Sequence, residues 1–161
     1  MTHIIIPGSF DPMTLGHVDL IERAVRTFGR VTVVVMDNFE KTYLFSTEER
    51  VGIAQSATKH LTGVDVISSH EMLYEFCRRT GLFTVCKGIR NAEDLDWENR
   101  QAVWNHEQEN RIETVYLPAS DSFREFSSTR ARRAIEAGED ITPWVGPEAA
   151  GEIKKRIKNR T

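Results

Sequence analysis

The composition of this chain is typical of a globular protein: its 161 residues, 40% hydrophobic and 28% charged, suit one domain with its own core. A formal net charge of −3 excludes a general attraction to nucleic acid or to an anionic membrane, so chemistry on polyanions requires local Lys and Arg clusters. Cys77 and Cys86 lack a CxxC spacing, and no leader pattern or membrane-length apolar run occurs, so we expect a cytoplasmic protein without zinc.

Apolar runs alternate with helical periodicity along the chain. The runs that predict buried strands are Ile4–Ile6, Val31–Met36, Val64–Ser68, Phe83–Cys86 and Ile112–Pro118. The predicted helices are 18–28 with Gly29 as a stop, 46–60, 71–80, 91 to about 108, 127–138, and a C-terminal helix from Pro147. This alternation predicts an α/β fold with a parallel sheet covered on both faces.

Ligands of open parallel sheets bind at the carboxyl ends of the strands, where the strand order reverses. The loops that follow strands are therefore the places to search for a site. Neither G-x-G-x-x-G after the first strand nor G-x-x-x-x-G-K-[ST] occurs, which disfavours a standard dinucleotide site and a P-loop.

The segment "PGSFDPMTLGH" joins the first strand to the first helix and ends in the tetrapeptide T-x-G-H. Thr14 can cap the helix, Gly16 can let a phosphate approach the backbone, and His17 can donate a ring N–H to a phosphoryl oxygen. A capped helix with a surface histidine is the plainer alternative. With "GSFDP" before it, the tetrapeptide resembles the adenylyl- and cytidylyltransferase superfamily, which implies that this loop binds nucleotide phosphates.

Cations follow two other strands: Lys41 lies in "NFEKTYLFS", after the second, and Lys87 and Arg90 lie in "CKGIR", after the fourth. Taken singly, each is more simply explained as a solvated surface charge. Because all three lie at the carboxyl edge of the sheet, we expect an anion to offset their repulsion. Ser127, where "SST" opens a helix, is either a plain cap or part of a second phosphate site.

Together, "GSFDPMTLGH", "EKTYLFSTEER", "CKGIR" and "SST" resemble the bacterial phosphopantetheine adenylyltransferase family over nearly the whole chain. The resemblance implies a Rossmann-like, doubly wound sheet of five parallel strands in the order 3-2-1-4-5, with helices on both faces. It also implies transfer of the adenylyl group of ATP to 4′-phosphopantetheine, with magnesium, giving dephospho-coenzyme A and pyrophosphate in a step of coenzyme A biosynthesis. A hexamer and feedback binding of coenzyme A are implied as well.

The resemblance also assigns roles to individual residues. Residues implied to contact phosphopantetheine are Ser9, Lys41, Leu73 and Lys87. Residues implied to bind ATP are Ser9, Phe10, His17, Gly88, Ile89, Arg90, Glu98, Phe123, Arg124, Glu125, Phe126, Ser127, Ser128 and Thr129. Glu98 is equally well explained as an exposed glutamate, and Leu73 as a core residue. Trp97 and Trp104, one heptad apart, are interpreted as packing residues.

The chemistry predicted from these residues needs no catalytic base. A phosphate monoester is largely ionised near neutral pH and can attack the α-phosphorus of ATP directly. His17, Lys41 and Arg90 would be the catalytic groups, stabilising charge on the phosphoryl and pyrophosphate oxygens. Because no metal-ligand cluster is evident, Mg²⁺ is expected to arrive with ATP.

Two departures from the family pattern leave alternatives open. The family usually has Arg where this chain has Lys87, and a triple serine where it has Ser127, Ser128 and Thr129. With Arg132, that segment also resembles the S-S-T-x-x-R pattern of nicotinamide mononucleotide adenylyltransferases. A regulatory nucleotide-binding module without turnover is a third possibility, which the intact His17 and Lys41 disfavour.

Overall fold

Five parallel strands form one sheet in the computed structural model, which describes residues 1–160. The strands are β1 (Thr2–Gly8), β2 (Gly29–Met36), β3 (Val64–Ser69), β4 (Thr84–Ile89) and β5 (Glu113–Pro118). Their order is β3-β2-β1-β4-β5, which confirms the predicted order. The order reverses between β1 and β4, because the chain leaves β1 towards β2 and leaves β4 towards β5.

Seven α-helices occur in this part of the chain. They are α1 (Leu15–Phe28), α2 (Thr47–Thr58), α3 (Leu73–Thr80), α4 (Ala92–Gln108), α5 (Ser128–Glu136), α6 (Thr142–Val145) and α7 (Pro147–Lys158). The predicted capping box of α2 is confirmed: Glu49 N donates to Ser46 Oγ at 3.1 Å, and Ser46 N donates to Glu49 Oε2 at 2.9 Å. No helix within residues 1–160 is long and apolar enough to cross a membrane.

Helices cover both faces of the sheet because alternate residues of each strand point to opposite faces. Ile4 and Ile6 of β1 belong to the larger core cluster, with buried residues of α1, α2, α5 and α7. Ile5, between them, belongs to a smaller cluster with Phe76 and Cys77 of α3. The continuous apolar runs of β1 and β2 are thus explained by burial on both sides, and the doubly wound prediction is confirmed.

The structure corrects several predicted boundaries. The strand predicted to end at Cys86 continues to Ile89, because Lys87, Gly88 and Ile89 pair in register with β5. Lys87 therefore lies in β4 and not in the loop after it. The helix predicted from Glu71 begins at Leu73, where Met72 N donates to Glu75 Oε2 at 3.0 Å. Helix α6 and a 3₁₀ turn at Asp121–Phe123 were not predicted.

Candidate active site

Two adjoining clefts lie at the carboxyl edge of the sheet, where the strand order reverses. The first cleft has a volume of about 330 Å³ and lies between the start of α1, the end of β4 and the segment 123–129. The second has a volume of about 600 Å³ and lies between the loop after β2, the start of α3 and one face of α4. Both clefts are lined by Pro7, Gly8, Ser9, Lys87 and Glu98, which we call the shared wall.

His17 lies in the first turn of α1 and lines the first cleft. Thr14 N, at the N-cap, donates to His17 Nδ1 at 2.9 Å. Burial lowers the pKa of His17 to about 4, and the positive charges of Arg90 and Lys87 act in the same direction. The ring is therefore neutral at pH 7, and its one proton resides on Nε2 because Nδ1 is an acceptor. Within residues 1–160 no protein group accepts from Nε2, so this N–H is available to a ligand.

Arg90, directly after β4, is held by Asp94 of α4. Arg90 Nε donates to Asp94 Oδ2 at 2.8 Å and a terminal guanidinium nitrogen donates to Oδ1 at 3.1 Å. A further hydrogen bond of 3.4 Å reaches the carbonyl of Phe126. The hydrogen bonds from Arg90 hold the pKa of Asp94 below its ordinary value, although burial acts in the opposite direction. A bidentate pair of this kind fixes the plane of the guanidinium at the edge of the first cleft.

Lys87 and Glu98 form an ion pair across the shared wall, with 3.3 Å between Nζ and Oε2. Lys87 Nζ also donates to the carbonyl of Pro7 at 3.4 Å. Part of the negative charge that was expected to offset these cations is therefore supplied by the protein itself. Two carboxylates of α4 neutralise the charges of Lys87 and Arg90. The positions of these cations near the end of a strand do not indicate that they pair with another helix.

The second cleft combines a cation with apolar surface. Lys41 lines it from the exposed loop after β2, and no carboxylate within residues 1–160 pairs with its ammonium group. Leu73 lines it from the start of α3 and also packs on the smaller core cluster, so it is in part a core residue. Its contact with phosphopantetheine stays a prediction. Its wall also contains Trp97 and Trp104, which are 57% and 40% exposed. The interpretation of the two tryptophans as packing residues agrees with the position of Trp104, whose ring lies edge-on to Tyr74 of α3 with 5.8 Å between the ring centroids. For Trp97 it stays a prediction.

The segment 123–129 closes the first cleft on the side opposite β4. Ser127 Oγ accepts from Arg130 N at 3.2 Å and so caps α5, while Ser128 Oγ donates to the carbonyl of Pro12 at 2.9 Å. A Cβ on Gly16 would lie 3.3 Å from Cβ of Phe126. The glycine of T-x-G-H is therefore also explained by close packing of α1 on this segment.

The structure brings most of the predicted residues to one of the two clefts. The first cleft is lined by Ser9, Phe10, His17, Lys87, Gly88, Arg90, Glu98, Phe123, Phe126, Ser127, Ser128 and Thr129, and the second by Ser9, Lys41, Leu73, Lys87 and Glu98. Ile89, Arg124 and Glu125 line neither. Ile89 pairs with β5, Arg124 forms an ion pair with Asp121, and Glu125 forms one with Arg130.

Sequence analysis missed a polar contact at the far end of the first cleft. Asp19 and Arg23 of α1 line this end. Ser120 Oγ donates to Asp19 Oδ2 at 2.8 Å, and Arg23 donates to the carbonyl of Pro118 at 2.7 Å. The partners are about a hundred residues apart, so no local pattern could have indicated them. The contact fixes the end of β5 against α1.

Comparison with known proteins identifies the class. Residues 5–134 match the cytidylyltransferase-like family, and the chain belongs to that family. Two solved structures share its fold: a protein of Vibrio parahaemolyticus assigned as a nicotinate-nucleotide adenylyltransferase (TM-score 0.65, 18% identity, 94% of this chain and 97% of that one) and a lipopolysaccharide core biosynthesis protein of Thermoplasma volcanium (TM-score 0.56, 19% identity, 75% and 99%).

Within that family the chain groups with the phosphopantetheine adenylyltransferases. The relative of that name from Streptococcus gordonii is 39% identical, over 94% of this chain and 93% of its own. Those from Thermotoga neapolitana and Staphylococcus haemolyticus are 36% and 32% identical, covering 96% and 98% of each chain respectively. These similarities extend over nearly the full length, so they include both clefts.

Proposed function

We propose that this chain transfers the adenylyl group of ATP to 4′-phosphopantetheine, giving dephospho-coenzyme A and pyrophosphate. The observation that carries the proposal is the shared wall. A cleft beside T-x-G-H, suited to a nucleotide, and a cleft with Lys41 and apolar surface, suited to a phosphorylated acceptor with a long arm, meet at Ser9 and Lys87. Two substrates bound in these clefts would have their reacting phosphates side by side.

In this mechanism an oxygen of the acceptor phosphate attacks the α-phosphorus of ATP, and the bond to the bridging oxygen of pyrophosphate breaks. His17 donates from Nε2 to a phosphoryl oxygen, and Arg90, held by Asp94, stabilises the departing charge. Lys41 binds the acceptor phosphate from the second cleft, together with Lys87. The protein aligns the two substrates and neutralises the charge on their phosphates, and it forms no covalent intermediate with either.

Mg²⁺ is proposed to arrive bound to ATP. Within residues 1–160 no group of three or more His, Cys, Asp or Glu is arranged to hold a metal ion. The carboxylates that line the first cleft are already engaged: Asp19 with Ser120, Asp94 with Arg90, and Glu98 with Lys87. The residues present therefore fit an ion held by phosphate oxygens and water, which would offset negative charge on the triphosphate.

Three further properties are proposed from the family membership. The enzyme is a homohexamer, it binds coenzyme A as a feedback ligand, and it works in the cytoplasm. The free, buried thiols of Cys77 and Cys86 are compatible with a reducing compartment. Feedback binding would place the phosphopantetheine arm of coenzyme A in the second cleft.

The test is a pyrophosphate-release assay with ATP and one acceptor at a time: 4′-phosphopantetheine, nicotinamide mononucleotide or glycerol 3-phosphate. We expect pyrophosphate release when phosphopantetheine is the acceptor, and none with the other two acceptors. A preference for nicotinamide mononucleotide would overturn the assignment of phosphopantetheine as the acceptor. If the protein binds ATP but releases no pyrophosphate with any acceptor, it is a regulatory module and not an enzyme. Arg132, which belongs to the nicotinamide-type pattern, donates to the carbonyl of Asp11 at 2.8 Å and lines neither cleft.

A further inference from the structure

Arg50 is the largest side chain that is fully buried, at 1% exposure. It lies in the first turn of α2, behind the second cleft, and contributes to the lining of neither cleft. Burying a guanidinium is costly unless its charge and its hydrogen bonds are satisfied. The burial of Arg50 must therefore be explained by the groups that surround it.

Every N–H of the Arg50 guanidinium has an acceptor. Nε donates to the carbonyl of Phe45 at 3.2 Å, and one terminal nitrogen donates to the carbonyls of Ser9 at 2.9 Å and Met36 at 3.2 Å. The other terminal nitrogen donates to the Asp37 carboxylate and to Thr47 Oγ1. Arginine has five such donors, so the set is complete.

These acceptors lie on three separate segments: the residue after β1, the end of β2, and the start of α2. Ser9 belongs to the shared wall, and residues 37–46 form the loop that carries Lys41. The Tyr43 ring of that loop lies 4.0 Å from Arg50 Cζ, and its hydroxyl accepts from Asn38 N at 2.7 Å. One guanidinium thus joins the backbone of Ser9 to both ends of the Lys41 loop.

We propose that Arg50 is a positioning residue, which holds Ser9 and the Lys41 loop in the arrangement that binds the acceptor phosphate. This inference rests on the proposed function, since it takes Ser9 and Lys41 as acceptor ligands. Within residues 1–160 Arg50 forms no hydrogen bond with His17, Arg90 or the segment 123–129, and among its hydrogen bonds only that to Ser9 reaches the wall of the first cleft. Because its other partners lie at the two ends of the Lys41 loop, we expect a larger effect on the acceptor than on ATP.

The test uses Arg50→Lys, which keeps the positive charge but has one nitrogen in place of three and cannot reach five acceptors on three segments. We expect KM for phosphopantetheine to rise by about tenfold or more and KM for ATP by less than about threefold. Arg78→Lys is the matched control, because Arg78 pairs with the buried Glu109 at 2.9 Å and lines neither cleft. Its two KM values should equal those of the unchanged enzyme.

A second measurement does not depend on activity. Amide hydrogen exchange should be faster in residues 37–46 of Arg50→Lys, and unchanged there in Arg78→Lys. If Arg50→Lys does not fold, Thr47→Val removes one acceptor of the guanidinium, and we expect the same changes at smaller size.

Equal rises of both KM values, or a lower melting temperature with unchanged KM values and unchanged exchange in 37–46, would overturn the positioning role. If the unchanged protein shows no activity with phosphopantetheine, the proposed function fails. In that case the exchange measurement alone decides whether Arg50 holds the loop.

Discussion

His17 has the geometry of a neutral hydrogen-bond donor: Nδ1 accepts from Thr14 N, and the lowered pKa, about 4, keeps the ring uncharged. A donor that strengthens its bond in the transition state contributes more to kcat than to ground-state binding. His17→Ala should therefore lower kcat by about a hundredfold or more and change ATP affinity much less. Steady-state kinetics and ATP titration measure the two effects.

His60→Ala, at an exposed position outside both clefts, is the control for His17→Ala and should have unchanged kinetics. Turnover of His17→Ala at the level of the unchanged enzyme would rule out a catalytic role for this histidine.

Lys87 is one of the two places where the sequence is interpreted as departing from the family pattern, and its ammonium pairs with Glu98 at 3.3 Å. If Lys87 binds the acceptor phosphate, Lys87→Ala should weaken the binding of phosphopantetheine by about 1.5–3 kcal/mol, the range for a hydrogen bond to a charged group. ATP should be affected less. Lys87→Arg should retain most activity, because a guanidinium at the same strand position reaches the same wall.

KM and kcat for both substrates test these two variants of Lys87. Lys59→Ala, which breaks an exposed ion pair with Glu148 of 2.8 Å, is a control for the loss of a positive charge. Equal losses for both substrates in Lys87→Ala, or no loss, would show that Lys87 is not the acceptor ligand.

Most residues identified from local motifs lie at the clefts, whereas the pairs that they form were not predicted. The position of His17 at the start of a helix could be predicted because T-x-G-H is a short, contiguous motif. The pairings of Lys87 with Glu98 and of Arg90 with Asp94 depend on how α4 crosses the strand ends. Arg50 looks like an ordinary helix residue in the sequence, and its burial depends on three segments that meet only in the fold.

At the scale of elements, Glu109 joins the end of α4 to α3 and to the residues before β5. Arg111 Nε donates to it at 2.8 Å and Arg78 Nε at 2.9 Å, and these hydrogen bonds lower the pKa of Glu109 to about 2. A carboxyl with a depressed pKa stabilises the fold above its unfolded pKa, near 4.5, and that contribution is lost as the pH falls towards 2.

Glu109→Gln should therefore melt a few degrees lower than the unchanged protein at pH 7, and the difference should shrink as the pH falls from 4.5 towards 2. Thermal melts followed by circular dichroism give both values. Glu107→Gln, at an exposed position on the same helix, is the matched control and should melt like the unchanged protein. A difference that stays constant down to pH 3 would contradict the linkage.

Element types were predictable where the hydrophobic periodicity or a helix cap was strong, whereas some boundaries were not. The apolar runs of β1 and β2 and the box at Ser46 each have a local cause. The end of β4 is set by pairing with β5, which no property of "CKGIR" expresses. Helix α6 has four residues, too few for a helical repeat to be visible.

On the scale of the whole molecule, the two faces of the sheet are covered unequally. The larger core cluster includes buried residues from five helices, α1, α2, α5, α6 and α7, whereas the smaller one has Phe76 and Cys77 from α3 as its buried helical residues. On the less covered face, α4 exposes Leu95, Trp97, Val103 and Trp104. Exposed apolar side chains of this number on one helix are typical of a surface that is covered in an assembly.

The proposed hexamer can be tested by light scattering coupled to size exclusion. Six chains of 18.4 kDa each should give about 110 kDa at micromolar concentration, and closed symmetry should keep that mass constant on dilution through this range.

Val103, 53% exposed on α4 and outside both clefts, offers a second measurement. If this face forms part of the interface, Val103→Glu places a charge in an apolar contact and should yield smaller species, while Glu107→Gln should not. A clean monomer for the unchanged chain would refute the hexamer, and a hexamer for Val103→Glu would move the interface away from α4.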